Sequence, residues 1–302
     1  MAIAQRASEI TLPATNLGWD TILEFLDYQF PLVGKKVWYL RIRQGKVHWH
    51  SGELITLDST FQPSKRLCYY REVTQEPKIP FVHEVIYQDE HLLVACKPHF
   101  LPVTPGAEYV NECLLERIRQ QEKLADIVPL HRLDRDTAGL VMFSINPESR
   151  HLYYQMFAQR KIQKHYLAVS RLGEALLNLT VPHRWQIKNR LEKSEPRFTM
   201  QEVEGEVNAR SEIALISKHA QLGLFKLSPI TGKTHQLRLH MMKVGAPIMN
   251  DRFYPKLLPK APPQFDSPLQ LLAKQLSFVD PVDGVHKQFE SDRKLKFWKT
   301  TE

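Results

Sequence analysis

The stretch VTQEPKIPFV, Val73–Val82, is polar and carries two prolines. Proline has no amide hydrogen to give and restricts the residue before it, so no single helix or strand runs through this stretch. The chain is therefore expected to divide here into a small N-terminal α/β module, residues 1–78, and a larger unit, residues 79–302. Before the break, LGWDTILEFLDYQF reads as a short helix with Leu23, Phe25, Leu26 and Phe30 on or near one face. VWYLRIRQ reads as a second helix, and GKVHWHSGELITLDSTF alternates as strand, turn and strand.

After the break, EVIYQDEHLLVACKP reads as two strands around a polar turn, ended by Pro98. Tyr109–Lys123 has Val110, Leu114, Leu115 and Ile118 at helical spacing. GLVMFSI is a nearly all-apolar strand, PESRHLYYQMFAQRK a helix facing inward through Leu152, Met156 and Phe157, and IQKHYLAVS another strand. LGLFKLSPITGKTHQLRLHMMKVGAPI reads as strand, turn and helix, with Leu237, Met241 and Val244 as the buried stripe and Gly245 at the end. Strands and helices do not alternate strictly, so the expected class is α+β with a mixed, mostly antiparallel sheet.

Composition limits the function. Of 302 residues, 43% are hydrophobic, enough for a sizeable core. A formal charge of +8 fits a polyanionic partner, nucleic acid more often than a membrane. Cys68, Cys96 and Cys113 are scattered without metal-ligand spacing, so neither zinc nor a disulfide framework is expected. The N-terminus lacks the pattern of a secretory signal and no apolar run is long enough for a membrane span, which makes the cytoplasm the expected location.

Two apparent motifs fail on chemistry. TGKT at Thr231–Thr234 suggests a phosphate loop, but the required upstream glycine is Leu227, whose side chain would obstruct the loop. His235 and His240 are five apart, which does not suit a metal pair on one helical face. What remains is a basic segment, Lys233, His235, Gln236, Arg238 and His240. It is either an ordinary polar helix face or a helix start aimed at an anion.

HRLDRDTAG packs two arginines and two aspartates into Arg132–Asp136. A solvated charge run would contribute only about 0–1 kcal/mol per ion pair. A reacting carboxylate in a partly dry pocket would instead need an arginine from elsewhere in the fold, for which Arg238 is a candidate. In QKHYLAV, Tyr166 shares a strand face with Lys164 and Ala168 and serves either as core packing or as a surface for stacking a base.

The order HRLDRDTAG, KHYLAV, TGKTHQLRLHM and GAPIMND resembles the RluA-type pseudouridine synthases, and EVIYQDEHLLVACKP is similar to that family's opening hairpin. The resemblance covers about Phe81 to Phe253. It implies a pseudouridine-synthase-like catalytic domain that isomerises uridine within ribosomal or transfer RNA, as a monomer, with no metal or organic cofactor. By motif match, Asp134 is the catalytic carboxylate, Tyr166 stacks on the uracil and relays a proton, and Arg238 forms the ion pair with Asp134. Arg132 fills the space of the flipped nucleotide. Lys233, His235 and Gln236 face RNA, and Leu237 or Leu239 forms an apolar pocket wall.

Ala138, Lys233 and Asn250 depart from the family's usual serine, arginine and glycine. The N-terminal module resembles an α-L-type RNA-binding domain through LGWDTILEFL and IRQGKVHWHSGELI. The competing readings are a non-catalytic RNA-binding or assembly factor on the same fold, and an RNA glycosidase.

Overall fold

The computed structural model describes residues 1–298; the last four residues of the expected 79–302 domain lie outside the described residues. The chain forms two compact units, Met1–Pro77 with Gly106–Asn111, and Lys78–Pro105 with the chain from Glu112 onward. The Pro-rich break does not reveal that 106–111 groups with the first unit. Hydrogen bonds explain it: Glu76 accepts from the Val110 and Asn111 amides at 2.6 and 2.7 Å, and Asn111 Nδ2 donates to the Ile3 carbonyl at 2.8 Å.

The first unit contains β1 (Ala2–Ile3), β2 (Ser8–Thr11), α1 (Ile22–Gln29), α2 (Lys35–Arg43), β3 (Val47–Trp49), β4 (Arg66–Tyr69) and β5 (Glu72–Val73). Strands β2, β4 and β3 form one antiparallel sheet, and β1 pairs with β5. Helix α1 starts where it does because Thr21 and Glu24 close a capping box, each side chain satisfying a free amide of the first turn. It buries Ile22, Phe25 and Leu26, each contributing about 1.5–3 kcal/mol. The strand expected after Ser51-Gly52 is reduced to a bridge between His48 and Leu54, and the extended partner of β3 is β4.

The second unit contains β6 (Glu84–Gln88), β7 (Leu92–Lys97), α3 (Leu114–Glu122), β8 (Val128–Pro129), β9 (Ala138–Ser144), α4 (Arg150–Ala158), β10 (Gln163–Arg171) and α5 (Glu174–Leu177). There follow β11 (His183–Lys193), β12 (Met200–Val203), β13 (Ala209–His219), β14 (Leu222–Pro229), α6 (Gln236–Lys243), β15 (Leu271–Val279) and β16 (His286–Glu290). All eleven strands join one sheet in the order β12-β11-β13-β14-β10-β15-β9-β7-β6, with β16 also on β15 and β8 on β9. Every pairing is antiparallel except β9 with β15, so the sheet is mixed and mostly antiparallel, as expected.

Local differences have physical causes. Helix α3 begins at Leu114, because Cys113 is extended and Tyr109 and Val110 belong to the segment held in the first unit. In α4 the buried residues are Tyr153 and Met156; Tyr153 donates its hydroxyl to the buried Asp280. Helix α6 is buried on every side from Gln236 to Met241, not along one stripe. It packs Leu237 and Met241 onto the sheet face formed by Ile187, Ile213 and Leu227, the face that also carries Tyr166. This packing brings α6 to the centre of the sheet.

Candidate active site

Asp134 sits in the turn that leads into β9, closed by the Thr137 amide donating to the Asp134 carbonyl at 3.1 Å. Lys97 and His99 hold that turn, and His131 holds the strand that follows it. Lys97, fully buried at the end of β7, donates from Nζ to the carbonyls of Pro98, Leu101 and Arg135 at 3.1, 2.7 and 2.9 Å. Burial draws its pKa down to about 7 against the opposing charges of Asp136 and Asp134. His99 Nδ1 lies 2.7 Å from the Asp136 carbonyl, so the ring N–H donates there, and burial lowers its pKa to about 4. His131 Nε2 accepts the Met142 amide at 3.1 Å, and burial lowers its pKa to about 3. A histidine accepting at Nε2 and held neutral is a scaffold group.

Gly139 follows at once. Its φ is +114°, and a Cβ there would lie 2.2 Å from the Ala273 carbonyl oxygen on β15. The parallel pairing of β9 with β15 therefore requires glycine beside the Asp134 turn.

Arg238, on α6, is 2% exposed and faces two carboxylates. Nε and Nη2 donate to Asp251 at 2.7 and 2.6 Å, while Nη1 reaches Asp134 at 3.3 Å. Burial disfavours the guanidinium charge, but the hydrogen bonds and charge of Asp251, then Asp134, outweigh it and raise the pKa. Its carbon Cζ lies 4.7 Å from the Phe253 ring centroid and 5.3 Å from that of Tyr254. Asp251 also accepts the Phe253 and Tyr254 amides, so one carboxylate fixes both the arginine and the turn that covers it. Asn250, where the family usually has glycine, takes φ +62°, a region asparagine tolerates. Asp251 lies within GAPIMND, a motif that by itself gives it no role. The signal available was that an arginine inside an apolar helix needs a fixed counter-charge.

Tyr166 pairs with Leu227 on one side and Ala273 on the other, beside a bulge between His165 and Tyr166. Burial, then the Asp134 charge, raises its pKa, so the hydroxyl stays protonated at neutral pH. The structure thus brings Asp134, Arg238 and Tyr166 together. His235 joins them: its Nε2 is 3.9 Å from Asp134 and its Nδ1 is 2.9 Å from the Tyr254 hydroxyl. It is buried, and burial lowers its pKa.

The remaining expected contacts separate. Arg132 and Lys233 are exposed. Gln236 is not placed to face RNA. It is 3% exposed, its Nε2 donates to the Arg210 carbonyl and to Ser211, and its Oε1 accepts from Thr231 and the Lys233 amide. Its amide is spent on the loop leading into α6. Leu237 shares a core cluster with Tyr166, whereas Leu239 belongs to another with Leu191 and Tyr254.

Among the described residues, one group with metal-binding side chains converges: Glu9, His50 and Cys68 in the first unit. The fold, not the spacing, brings Cys68 beside His50. Arg66 already lies 3.5 Å from the Glu9 carboxylate and offsets its charge. No helix among the described residues is long and apolar enough to cross a membrane.

Comparison with known proteins gives this architecture a class. The family model for RNA pseudouridylate synthase matches residues 91–243. The human RNA pseudouridylate synthase domain containing 1 superposes with a TM-score of 0.56 at 21% identity, over 72% of this chain and 86% of its own, and shares the fold. The dual-specificity RNA pseudouridine synthase RluA of Pasteurella multocida is 33% identical over 219 residues, 68% of this chain and 90% of the relative. That of Haemophilus influenzae is 32% identical over 71% of this chain and 94% of its own. The chain belongs to the RNA pseudouridylate synthase family and, within it, to the RluA type: it is an enzyme that isomerises uridine in RNA.

Proposed function

We propose that Asp134 is the carboxylate on which this isomerisation turns. The observation that carries the reading is the third nitrogen of Arg238, which stands 3.3 Å from Asp134 while the other two are committed to Asp251. A fixed cation beside a partly exposed carboxylate is the arrangement a reacting anion needs in a pocket that must exclude water.

Breaking the bond between uracil N1 and the ribose leaves positive character on the sugar, which a carboxylate stabilises. The uracil must then turn within the pocket, form a carbon–carbon bond through C5 and lose the C5 proton. The Tyr166 ring stacks against the base and its protonated hydroxyl relays that proton. Leu237, in the same cluster as Tyr166, is the apolar wall. Arg132 is exposed and, among the described residues, makes no ion pair, so it is available to occupy the gap left by the flipped nucleotide. Lys233 is exposed at the mouth of α6 and is available for phosphate, and His235 lines the pocket.

The RNA is ribosomal or transfer RNA, the site of action is the cytoplasm, and the enzyme works as a monomer. The dual-specificity names of its relatives support more than one RNA target. The first unit assists RNA binding, with Lys35, Lys36 and Arg43 exposed on α2.

The test is pseudouridine mapping of total RNA from cells lacking the gene, complemented with wild type or with Asp134→Ala. Wild type restores specific sites and the variant restores none, while purified variant still binds RNA. Restoration by the variant would remove Asp134 from the chemistry.

A further inference from the structure

The sheet face opposite α6 carries charge that the site does not use. Register aligns its outward residues across neighbouring strands. Arg184 of β11 pairs with Ala214 of β13, which pairs with Lys226 of β14. One row along, Gln186 pairs with Glu212, which pairs with Ser228. In the next row Lys188 stands directly opposite Arg210. The residues between these rows, among them Ile187, Ile213 and Leu227, point the other way into the core beneath α6.

Arg184, Lys188, Arg210 and Lys226 are all exposed, and among the described residues none has an ion pair or a side-chain hydrogen bond. One acidic side chain, Glu212, lies among them. Like charges directly opposite on paired strands destabilise a sheet, so Lys188 facing Arg210 works against folding. The rows of Arg184 and Lys188 are about 13 Å apart at ~3.3 Å per residue, so the charges span an extended partner rather than a single ion.

This face is connected to the active site through the main chain. The Arg210 amide donates to Thr231 Oγ1 at 2.8 Å, and its carbonyl accepts from Gln236 Nε2 at 2.9 Å. The same residue that presents a cation outward therefore anchors the loop entering the Arg238 helix.

We propose that this outer face is a second docking surface for the substrate RNA, binding the phosphate backbone of segments that flank the target uridine. The proposal rests on the assignment of RNA as substrate. Charge complementarity selects the occupant: four exposed cations with one acidic side chain among them match a phosphate backbone, which is read by position rather than by base. The surface would add affinity for structured RNA and contribute nothing to the chemistry of a uridine already in the pocket.

The experiment uses the full chain with the double variant Lys188→Glu/Arg210→Glu, and Arg184→Glu/Lys226→Glu as an independent second pair. The probes are a fluorescein-labelled RNA hairpin, read by anisotropy across a salt series, and total RNA from cells lacking the gene, read by pseudouridine mapping. Each pair is expected to weaken hairpin binding about ten-fold or more at low salt and to reduce the slope of log affinity against log salt by about 1 to 2, the loss of one or two phosphate contacts. At saturating enzyme the mapped sites are still modified. Unchanged affinity and slope in both folded double variants, judged by wild-type melting curves, would overturn the proposal. That result includes the case in which the face binds an acidic protein instead. Wild type that forms no pseudouridine would indict the catalytic assignment separately, whatever the hairpin binding shows.

Discussion

Arg238 holds Asp251 with two nitrogens, Nε at 2.7 Å and Nη2 at 2.6 Å, in a pair that is almost wholly buried. This grip aims the remaining nitrogen at Asp134. Asp251 is thus a positioning residue, and Asp251→Asn should leave Arg238 misaligned, with Asp134 as its one close counter-charge. Breaking one partner of a buried pair costs about 3–5 kcal/mol of stability. The turnover rate should fall about 100-fold or more while RNA affinity changes little, because the loss acts on a preorganised charge. Single-turnover kinetics and chemical denaturation on the same preparation check both parts.

Tyr166→Phe separates stacking from proton relay. The ring and its packing on the cluster that includes Leu227 remain, and the hydroxyl alone is removed. Turnover should fall about 10²–10⁴-fold with RNA affinity retained, the range for loss of a positioned proton-transfer group. A variant within a few-fold of wild type would leave Tyr166 as a stacking platform only.

Gly139→Ala should be among the most damaging single-methyl changes in the chain. The added carbon would sit 2.2 Å from a main-chain oxygen that cannot swing aside, at a φ of +114°. Strain and overpacking together predict a loss of about 3 kcal/mol or more, measurable by denaturant titration.

Acid should destabilise the second unit through its buried histidines. His131 has a folded pKa of about 3, and His99 and His240 of about 4, all depressed by burial. The folded state therefore keeps them neutral while the unfolded chain takes up protons below its ordinary histidine pKa. Stability is unaffected by these groups above that value and falls as pH drops from about 6.5 toward 4. Melting temperatures at pH 7.5, 5.5 and 4.5 should decline, and His131→Gln, which keeps an acceptor for the Met142 amide, should flatten the decline.

Local periodicity made α1, α2, β7, β9, β10 and α6 readable, because each carries its apolar pattern within a few turns or residues. The long strands β11 and β13 escape such a reading because their inward positions are partly polar: Asn189 and Ser211 are buried where an apolar residue would have completed the alternation. At the site, Asp134, Tyr166 and Arg238 were named from their motifs. Gln236, which the motif match places at the RNA, is instead buried as a brace between the Arg210 carbonyl, the Lys233 amide and the Thr231 hydroxyl. Lys97 and His99 were unassigned because their partners are carbonyls of the Asp134 turn, and carbonyls are invisible to residue type.

Strand β15 lies between β10, which carries Tyr166, and β9, which follows Asp134. It is also made after both. A ribosome-bound chain that has emerged only through α6 has Asp134 beside β9 and Tyr166 on β10, two strands that then share no neighbour. The enzyme should therefore acquire its activity in one late step, when residues 271–279 insert as the seam, and a nascent chain shorter than this is expected to be silent even though Asp134, Tyr166 and Arg238 have already been synthesised.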